Sequence, residues 1–403
     1  MFIEMTFLKK LAEKFFKSKQ PEYVIKVTSA AKNYATEATF ETKDYKLHLF
    51  NDAGPPTKVT VTRDDALRYY RQMLTVRRFE TAAGAMYKEK LIRGFCHLYN
   101  GQEAICVGMY GAMRPNLDDL ITSYRCHGFA HVMGASVSSI LCELTGHIEG
   151  TQRGKGGSMH IYVPHFYGGN GIVGAQVPLG AGMAFAHKYR NTNGVAIALY
   201  GDGGSNQGQI FETFNMSKLW DIPIIYVCEN NGWGMSTSSE RSTANTGYYT
   251  RGDNIPGIWC DGMDVLAVRE ATRYAIEYAS SGKGPVVMEC ATYRFVGHSM
   301  TDPGLYRTRD EVQEMRQKRD PITHFKEKII ESELATEEEI KKLEADVKKE
   351  VDDGVKKARG DLGVNMDELT WDIYAKDDYL VDIRNVNPFN TLKHKRVAKP
   401  QNL

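Results

Sequence analysis

The chain contains short, uninterrupted apolar runs that are separated by helical patterns. Residues 195–200 read VAIALY and residues 223–228 read PIIYVC, with a helical pattern over 207–220 between them. A further strand is predicted at 285–293, after a helical pattern over 265–280. Continuous apolar strands that alternate with helices are typical of parallel sheets, because such strands are buried on both faces. The sequence therefore predicts an α/β fold, in which a parallel sheet is covered by helices on both faces.

The remainder of the chain divides into segments of different character. Residues 1–32 carry seven lysines against three glutamates and apolar residues at roughly helical spacing. We expect a targeting or flexible segment there, with an ordinary surface helix or frayed tail as the alternative. We expect an N-terminal arm over residues 33–61, the α/β domain over residues 62–306, and a helical C-terminal extension over residues 307–403. Further helical patterns lie at 62–92, 102–113, 136–145, 179–189, 307–318, 321–331 and 336–359.

The bulk composition argues against several classes of protein. The 403 residues are 42% hydrophobic and carry a formal net charge of +1. A net charge near zero gives no support for binding to nucleic acid or to a membrane surface. The seven cysteines are scattered and never spaced C-x-x-C, so we expect reduced thiols rather than disulfides or a zinc site.

The stretch from Gly169 to Gly174, GNGIVG, matches the spacing G-x-G-x-x-G. A dinucleotide-binding turn of this kind follows a strand, opens a helix, and has an acidic residue about twenty positions further on. Here Pro164 interrupts the preceding segment, the helical pattern starts only at Leu179, and Asn193 stands where the acid is needed. We therefore interpret these glycines as serving something other than NAD or FAD.

A carboxylate and a carboxamide follow the first two apolar runs. Asp202 lies in YGDGG, directly after 195–200, and Asn231 lies in ENNG, directly after 223–228. The carboxyl ends of parallel strands meet at one edge of the sheet, where such folds bind ligands. Oxygen ligands of this kind suit Mg²⁺ together with phosphate oxygens. The pair predicts a magnesium–phosphate site, with a tight turn and an unrelated asparagine as the alternative.

Seven stretches of the chain carry a resemblance to a known family. They read IRGFCHLYNGQEA, YRCHGF, KGGSMH, YGGNGIVGAQVPLGAG, YGDGGSNQGQIFE, ENNGWGMSTS and YRFVGHSMTDPG. Over residues 34–390 the sequence resembles the α subunits of the E1 components of thiamine diphosphate-dependent 2-oxoacid dehydrogenases, and specifically the pyruvate branch. The resemblance implies the phosphate-binding half of the thiamine diphosphate fold. It also implies oxidative decarboxylation of pyruvate, which requires thiamine diphosphate and Mg²⁺, with reductive acetylation of the E2 lipoyl group.

The resemblance also assigns the site. Asp202, Asn231 and the backbone carbonyl of Trp233 would hold Mg²⁺, although the family usually has tyrosine at position 233. Tyr124, Arg125 and Arg294 would bind the diphosphate, and the main chain of Gly171 and Val173 would face the aminopyrimidine. The complete set of implied cofactor residues is Tyr124, Arg125, Gly171, Val173, Asp202, Gly203, Gly204, Asn231, Arg294 and His298.

Histidines are the candidate catalytic residues by the same resemblance. His298 in GHS and His97 in FCH match family positions that steer intermediates and receive the lipoyl group. His127 is a weaker candidate, because a lone histidine is more often a structural residue.

The resemblance further implies partners and regulation. Thiamine enzymes need a glutamate that activates the aminopyrimidine, and we find no second domain to supply it. We therefore expect an E1 β subunit in an α₂β₂ assembly, the E2 lipoyl/acetyltransferase, a regulatory kinase and phosphatase, and location in the mitochondrial matrix. Ser299 matches the main phosphorylation site and Ser238 a minor one. The loop after Gly304 lacks the residue of a second site, and Val296 replaces a frequent histidine.

Two other functions remain open at this point. The chain could be the α subunit of a branched-chain 2-oxoacid or acetoin dehydrogenase E1. It could also be a nucleotide-binding or regulatory subunit that uses the glycines and the cation site without catalysis.

Overall fold

The computed structural model describes residues 34–360 and 363–374, together with 382–383, 392–393 and 395. The chain divides into Met1–Tyr34 and Ala35–Leu403, and every element below belongs to the larger unit. The expected targeting segment 1–32 lies outside the described residues.

The strands are named in chain order. They are β1 (Glu37–Glu41), β2 (Lys46–His48), β3 (Lys58–Thr62), β4 (Asp119–Ile121), β5 (Ala196–Gly201), β6 (Ile224–Asn230), β7 (Trp233–Gly234), β8 (Thr237–Ser238), β9 (Gly257–Asp261), β10 (Val286–Ala291), β11 (Asp382–Ile383) and β12 (Leu392–Lys393).

The α-helices are named in the same way. They are α1 (Arg63–Lys88), α2 (Glu103–Ala112), α3 (His127–Val132), α4 (Val137–Thr145), α5 (Gln176–Arg190), α6 (Gly208–Leu219), α7 (Ser239–Ser242), α8 (Val265–Tyr278), α9 (Arg309–Arg319), α10 (Pro321–Glu331) and α11 (Glu337–Ala358). Short 3₁₀ turns occupy Gly204–Asn206, Tyr248–Thr250 and Met366–Thr370, and a π turn at Ala279–Lys283 follows α8.

The central sheet has six strands in the order β2-β9-β10-β6-β5-β4. Strands β9, β10, β6, β5 and β4 are parallel, whereas β2 pairs antiparallel with β9. The predicted parallel α/β sheet is thus confirmed, with one antiparallel strand added at its edge. That strand comes from the segment expected to be an arm, which also contains the β1–β3 hairpin.

The two faces of the sheet pack into separate cores. Ile197 and Leu199 of β5 lie in the core formed with α1, α2 and α8, whereas Tyr200 lies in a second core with Ile210 and Phe214 of α6. Successive residues of a strand point to opposite faces, so both sets must be apolar. This explains the uninterrupted apolar run and confirms helices on both faces.

Capping and turn geometry decide the helix ends. Thr62 accepts a hydrogen bond from the Asp65 amide at the start of α1, as its position predicts. The helix ends at Lys88 rather than near residue 92, because the chain turns at Lys90 with a φ of 64°. Helix α5 starts at Gln176, earlier than the predicted Leu179.

The C-terminal helices pack on the main domain. Helix α11 contacts α1 and α4, and α10 contacts α1. Thr336 and Glu339 form the capping box at the start of α11 that the sequence predicts. Within the described part of the chain, no helix combines the length and the apolarity needed to cross a membrane. All seven cysteines are buried free thiols.

Candidate active site

A cavity of about 310 Å³ lies at the carboxyl edge of the sheet, where β5 and β6 end. The two strands are in register, with Gly201 opposite Glu229, so the residues after them lie side by side. Asp202 and Asn231 are both buried there. The predicted site residues that line the cavity are Tyr124, Arg125, Val173, Asp202, Gly203, Gly204, Asn231, Trp233, Arg294 and His298.

The Asp202 carboxylate is held in this cavity by a hydrogen bond from Ser239. Its Oδ2 accepts a 2.9 Å hydrogen bond from the hydroxyl of Ser239. Burial raises the pKa of Asp202. A buried carboxylate without a cation is costly, so this position favours a bound positive charge.

The Asn231 side chain is oriented by several partners. Its Nδ2 donates to Oε1 of Gln102 at 3.1 Å, which turns Oδ1 away from Gln102. That Oδ1 accepts from the Trp233 amide at 3.3 Å and from Nη1 of Arg294 at 3.2 Å. The amide oxygen therefore lies on the side of the cavity that also contains Arg294.

Two buried arginines border the same cavity. Arg125 donates to the carbonyls of Leu98 and His298 at 2.6 and 2.8 Å. Arg294 donates to Tyr306 and to the Val296 carbonyl as well as to Asn231. Burial and the positive charge of Arg125 lower the pKa of Arg294 to about 10. Among the described residues neither arginine forms a salt bridge with a carboxylate, although Asp202 and Glu229 line the same cavity.

A second buried acid, Glu229, also lines the cavity. Burial raises the pKa of Glu229 to about 7, although the hydroxyl of Tyr99 donates a short hydrogen bond to it. Nε2 of Gln102 lies 3.5 Å from the same carboxylate, which connects Glu229 to Asn231. Sequence reasoning missed this network and missed Ser239. The available signals were the acid that directly follows YVC and the glutamine in YNGQEA.

The two candidate catalytic histidines lie together. His298 lines the cavity, whereas His97 does not and instead packs on Tyr124 with ring centroids 4.3 Å apart. The two imidazoles meet edge to face at 5.5 Å. Burial, followed by the charge of Arg125, lowers the pKa of His298 to about 3 and that of His97 to about 2. Both rings are therefore neutral, and the buried Nδ1 of each has no hydrogen-bond partner in the part of the chain that the structure describes.

His127 has a different environment from the other two histidines. It is fully buried, its Nδ1 lies 2.9 Å from Glu80, and its Nε2 lies 2.9 Å from the Ser158 carbonyl. Both ring nitrogens are occupied within the core, which is the bonding pattern of a structural histidine.

The G-x-G-x-x-G stretch is explained by packing. A Cβ on Gly169 would lie 2.4 Å from the Met159 carbonyl oxygen, and Gly174 has a φ of 86°. Gly171 is exposed and does not line the cavity. The expectation that the helix opens late was wrong, since α5 begins at Gln176 just after the last glycine. However, Val163 and Phe166 before it form isolated bridges rather than a strand, and the acid is still missing.

The candidate phosphorylation residues lie on two loops near the cavity. Ser299, between β10 and α9, is buried, and its hydroxyl lies 2.7 Å from that of Thr301. Ser238 is half-buried in β8. At the position where the family often has histidine, the carbonyl of Val296 accepts from Arg294 and Arg307.

Comparisons with known proteins agree on one family. The model of the dehydrogenase E1 component family matches residues 71–365. A Caenorhabditis elegans protein named probable pyruvate dehydrogenase E1 component subunit alpha, mitochondrial, is 60% identical over 364 residues, covering 89% of this chain and 91% of that protein. The type I mitochondrial alpha subunit of Ascaris suum is 59% identical, covering 84% and 86%. The human somatic-form mitochondrial alpha subunit is 53% identical, covering 93% and 95%. The chain therefore belongs to the dehydrogenase E1 component family.

Proposed function

We propose that this chain is the α subunit of a mitochondrial pyruvate dehydrogenase E1 component. Its reaction is the oxidative decarboxylation of pyruvate with reductive acetylation of the lipoyl group of E2. The names of the nematode and human relatives support this assignment over a branched-chain 2-oxoacid or acetoin dehydrogenase. The observation that carries it is that two buried arginines and the buried Asp202 line one cavity without forming a salt bridge among themselves, because such a site suits an anion and a cation bound together.

The dehydrogenase E1 family depends on thiamine diphosphate, and the cavity residues fit its anionic end. Arg125 and Arg294 supply planar donors that match phosphate oxygens in pairs. Gly203 and Gly204 line the cavity and leave room for phosphate oxygens next to the backbone. When bound, thiamine diphosphate supplies the electron sink for decarboxylation of a 2-oxoacid.

The carboxyl edge of the sheet also offers ligands for Mg²⁺. Asp202, Asn231 and the carbonyl of Trp233 offer three oxygen atoms, and the buried carboxylate of Asp202 forms no salt bridge among the described residues, although the charge of Arg294 acts on it. Across those residues, no group of three or more histidine, cysteine and acidic side chains converges as a metal site. A single carboxylate is nevertheless the usual protein share for Mg²⁺ that is bound together with phosphates.

His298 and His97 are the proposed catalytic residues. Because both imidazoles are neutral, each offers one ring N–H as a hydrogen-bond donor and the other ring nitrogen as an acceptor. His298 borders the cavity directly, so its ring is placed beside the bound 2-oxoacid. His97 lies next to it, with the two ring centroids 5.5 Å apart.

A β subunit is the proposed partner. The cavity residues Val173 and Met235 are exposed, and the neighbouring Ile172 is 71% exposed. Exposed apolar residues at the edge of a site are typical of a surface that another chain covers. The α-subunit names of the relatives agree with such a partner. The E2 component, a kinase and a phosphatase complete the proposed set of partners.

The test is co-purification of this chain with its β subunit, followed by an assay with thiamine diphosphate, Mg²⁺ and either pyruvate or a branched-chain 2-oxoacid. We expect activity with pyruvate only in the presence of both subunits. Arg294→Gln should weaken binding of thiamine diphosphate about 10- to 100-fold, because it removes charge-assisted hydrogen bonds. Arg241→Gln, on the exposed side of α7, is the matched control. Robust turnover by the single chain, or a preference for the branched substrate, would contradict the proposal.

A further inference from the structure

Ser239 connects the two strand ends that carry the proposed cation ligands. Its hydroxyl donates to Oδ2 of Asp202 at 2.9 Å, in the segment after β5. Its backbone amide donates to the Gly232 carbonyl at 3.0 Å, in the segment after β6. Gly232 lies between Asn231 and Trp233 in the chain. One residue therefore joins the carboxylate ligand to the loop that supplies the other two ligands.

The backbone around Ser239 is held in place. Trp233 pairs with Ser238 in the β7–β8 hairpin, which returns the chain to the ligand loop. The carbonyl of Ser239 accepts a 2.9 Å hydrogen bond from the Thr243 amide, as the first turn of α7 closes. Ser239 is also buried. Because its backbone is fixed and the residue is buried, the Ser239 hydroxyl stays within hydrogen-bonding distance of Asp202, and water does not compete for that bond.

The hydrogen bond has a direct consequence for the carboxylate. A carboxylate rotates easily about its terminal torsion, and either oxygen can face a ligand. A donor on Oδ2 restricts that rotation and leaves Oδ1 for a cation. Among the described side chains, Ser239 is the donor to Asp202, and it acts together with the backbone amides of Asp202 and Gly203, which also stabilise the carboxylate. Partners of this kind typically account for 10- to 100-fold in metal affinity.

We propose that Ser239 is a positioning residue whose hydroxyl orients Asp202 and thereby sets the affinity of the site for Mg²⁺. This inference rests on the proposed function, which places Mg²⁺ and the diphosphate at Asp202 and Asn231. Ser239 itself touches neither the substrate nor the reacting atoms.

The experiment uses the assembled α–β protein and titrates Mg²⁺ by calorimetry at saturating thiamine diphosphate. Ser239→Ala should weaken Mg²⁺ binding by about tenfold or more. The apparent KM for Mg²⁺ should rise in parallel, whereas kcat at saturating Mg²⁺ should stay unchanged. Ser239→Thr retains the hydroxyl and should restore the affinity. Ser242→Ala is the matched control, because its hydroxyl donates to the carbonyls of Ser238 and Ser239 and not to Asp202.

The outcomes separate the inference from the proposed function. If the wild-type assembly binds no Mg²⁺ with thiamine diphosphate, the proposed function is wrong. If the wild type binds Mg²⁺ and Ser239→Ala binds it equally well, the inference alone is overturned. If the Ser239→Ala variant does not assemble with the β subunit, the Ser239→Cys variant tests the inference instead, because the cysteine thiol is a weak donor of similar size. Unchanged affinity in that variant also overturns the inference.

Discussion

The backbone amide of His298 donates a 2.7 Å hydrogen bond to Oδ2 of Asp302. The same oxygen accepts from the hydroxyl of Tyr306 at 2.6 Å, and Tyr306 in turn accepts from Arg294. Burial alone would raise the pKa of Asp302, but these hydrogen bonds and that from the Gly304 amide outweigh it and lower the pKa. Asp302 therefore stays ionised and holds the loop that presents His298 to the cavity.

The Asp302→Ala substitution should remove the hydrogen bonds that hold the loop containing His298. Removal of an acceptor that serves charged hydrogen bonds costs about 1.5–3 kcal/mol per bond, so kcat/KM for pyruvate should fall about tenfold or more. Steady-state assays of the α–β assembly measure this effect. Asp310→Ala, on the exposed first turn of α9, is the control and should retain full activity. Equal activity in both variants would show that the loop is held by other contacts.

Ser299→Ala should abolish inactivation by the proposed regulatory kinase. A phosphate on Ser299 would add about −1.5 to −2 charges beside Asp302, whose amide donates to the Ser299 carbonyl. Repulsion between the two anions should disorder the loop. The check is phosphate incorporation measured together with pyruvate turnover. Thr301→Val keeps the acceptor serine and should remain sensitive, as should Ser238→Ala. Continued inactivation of Ser299→Ala would make this prediction wrong.

Two glycines of the G-x-G-x-x-G stretch should respond differently to alanine. Gly169→Ala places a Cβ 2.4 Å from the Met159 carbonyl oxygen and 2.8 Å from that of Ser123. We expect its free energy of unfolding to fall by about 1–3 kcal/mol, as for other overpacked sites. Gly171→Ala meets its nearest atom at 3.7 Å and should leave stability unchanged. The resemblance, which assigns its main chain to the aminopyrimidine, predicts weaker thiamine diphosphate binding, whereas its position outside the cavity lining predicts unchanged binding. Urea denaturation and cofactor titration separate the two effects, and unaltered cofactor affinity in Gly171→Ala would remove Gly171 from the site.

The half-buried His298 should make the cofactor-free protein less stable in mild acid. Its pKa is lowered from 6.5 to about 3, so an unfolded chain takes up a proton between these pH values while the folded chain does not. Falling pH therefore favours unfolding across this window. The free energy of unfolding should decline less from pH 7 to pH 5 in His298→Gln than in the wild type. Denaturant titrations at both pH values measure this difference, and parallel declines would count against a neutral His298 in the folded protein.

Patterns along the chain identified the features that depend on neighbouring residues. The apolar runs predicted β5 and β6, and Thr62 and Thr336 predicted their helix starts, because burial and capping leave local signals. The pairing of Asp202 with Asn231 followed from one rule, that adjacent parallel strands end at one edge. The short strands β2 and β9 were missed, because three or five residues carry too little periodicity to be recognised.

The sequence by itself determined the α/β fold class and the polar residues at the carboxyl edge of the sheet. Only the tertiary structure decided which distant side chains reach them, such as Gln102 at Asn231 and Ser239 at Asp202. It also decided that Gly171 is exposed and that His127 is a core residue rather than a cavity residue. The physical reason is that strand order and register place residues far apart in sequence within hydrogen-bonding distance, and no local pattern encodes those distances.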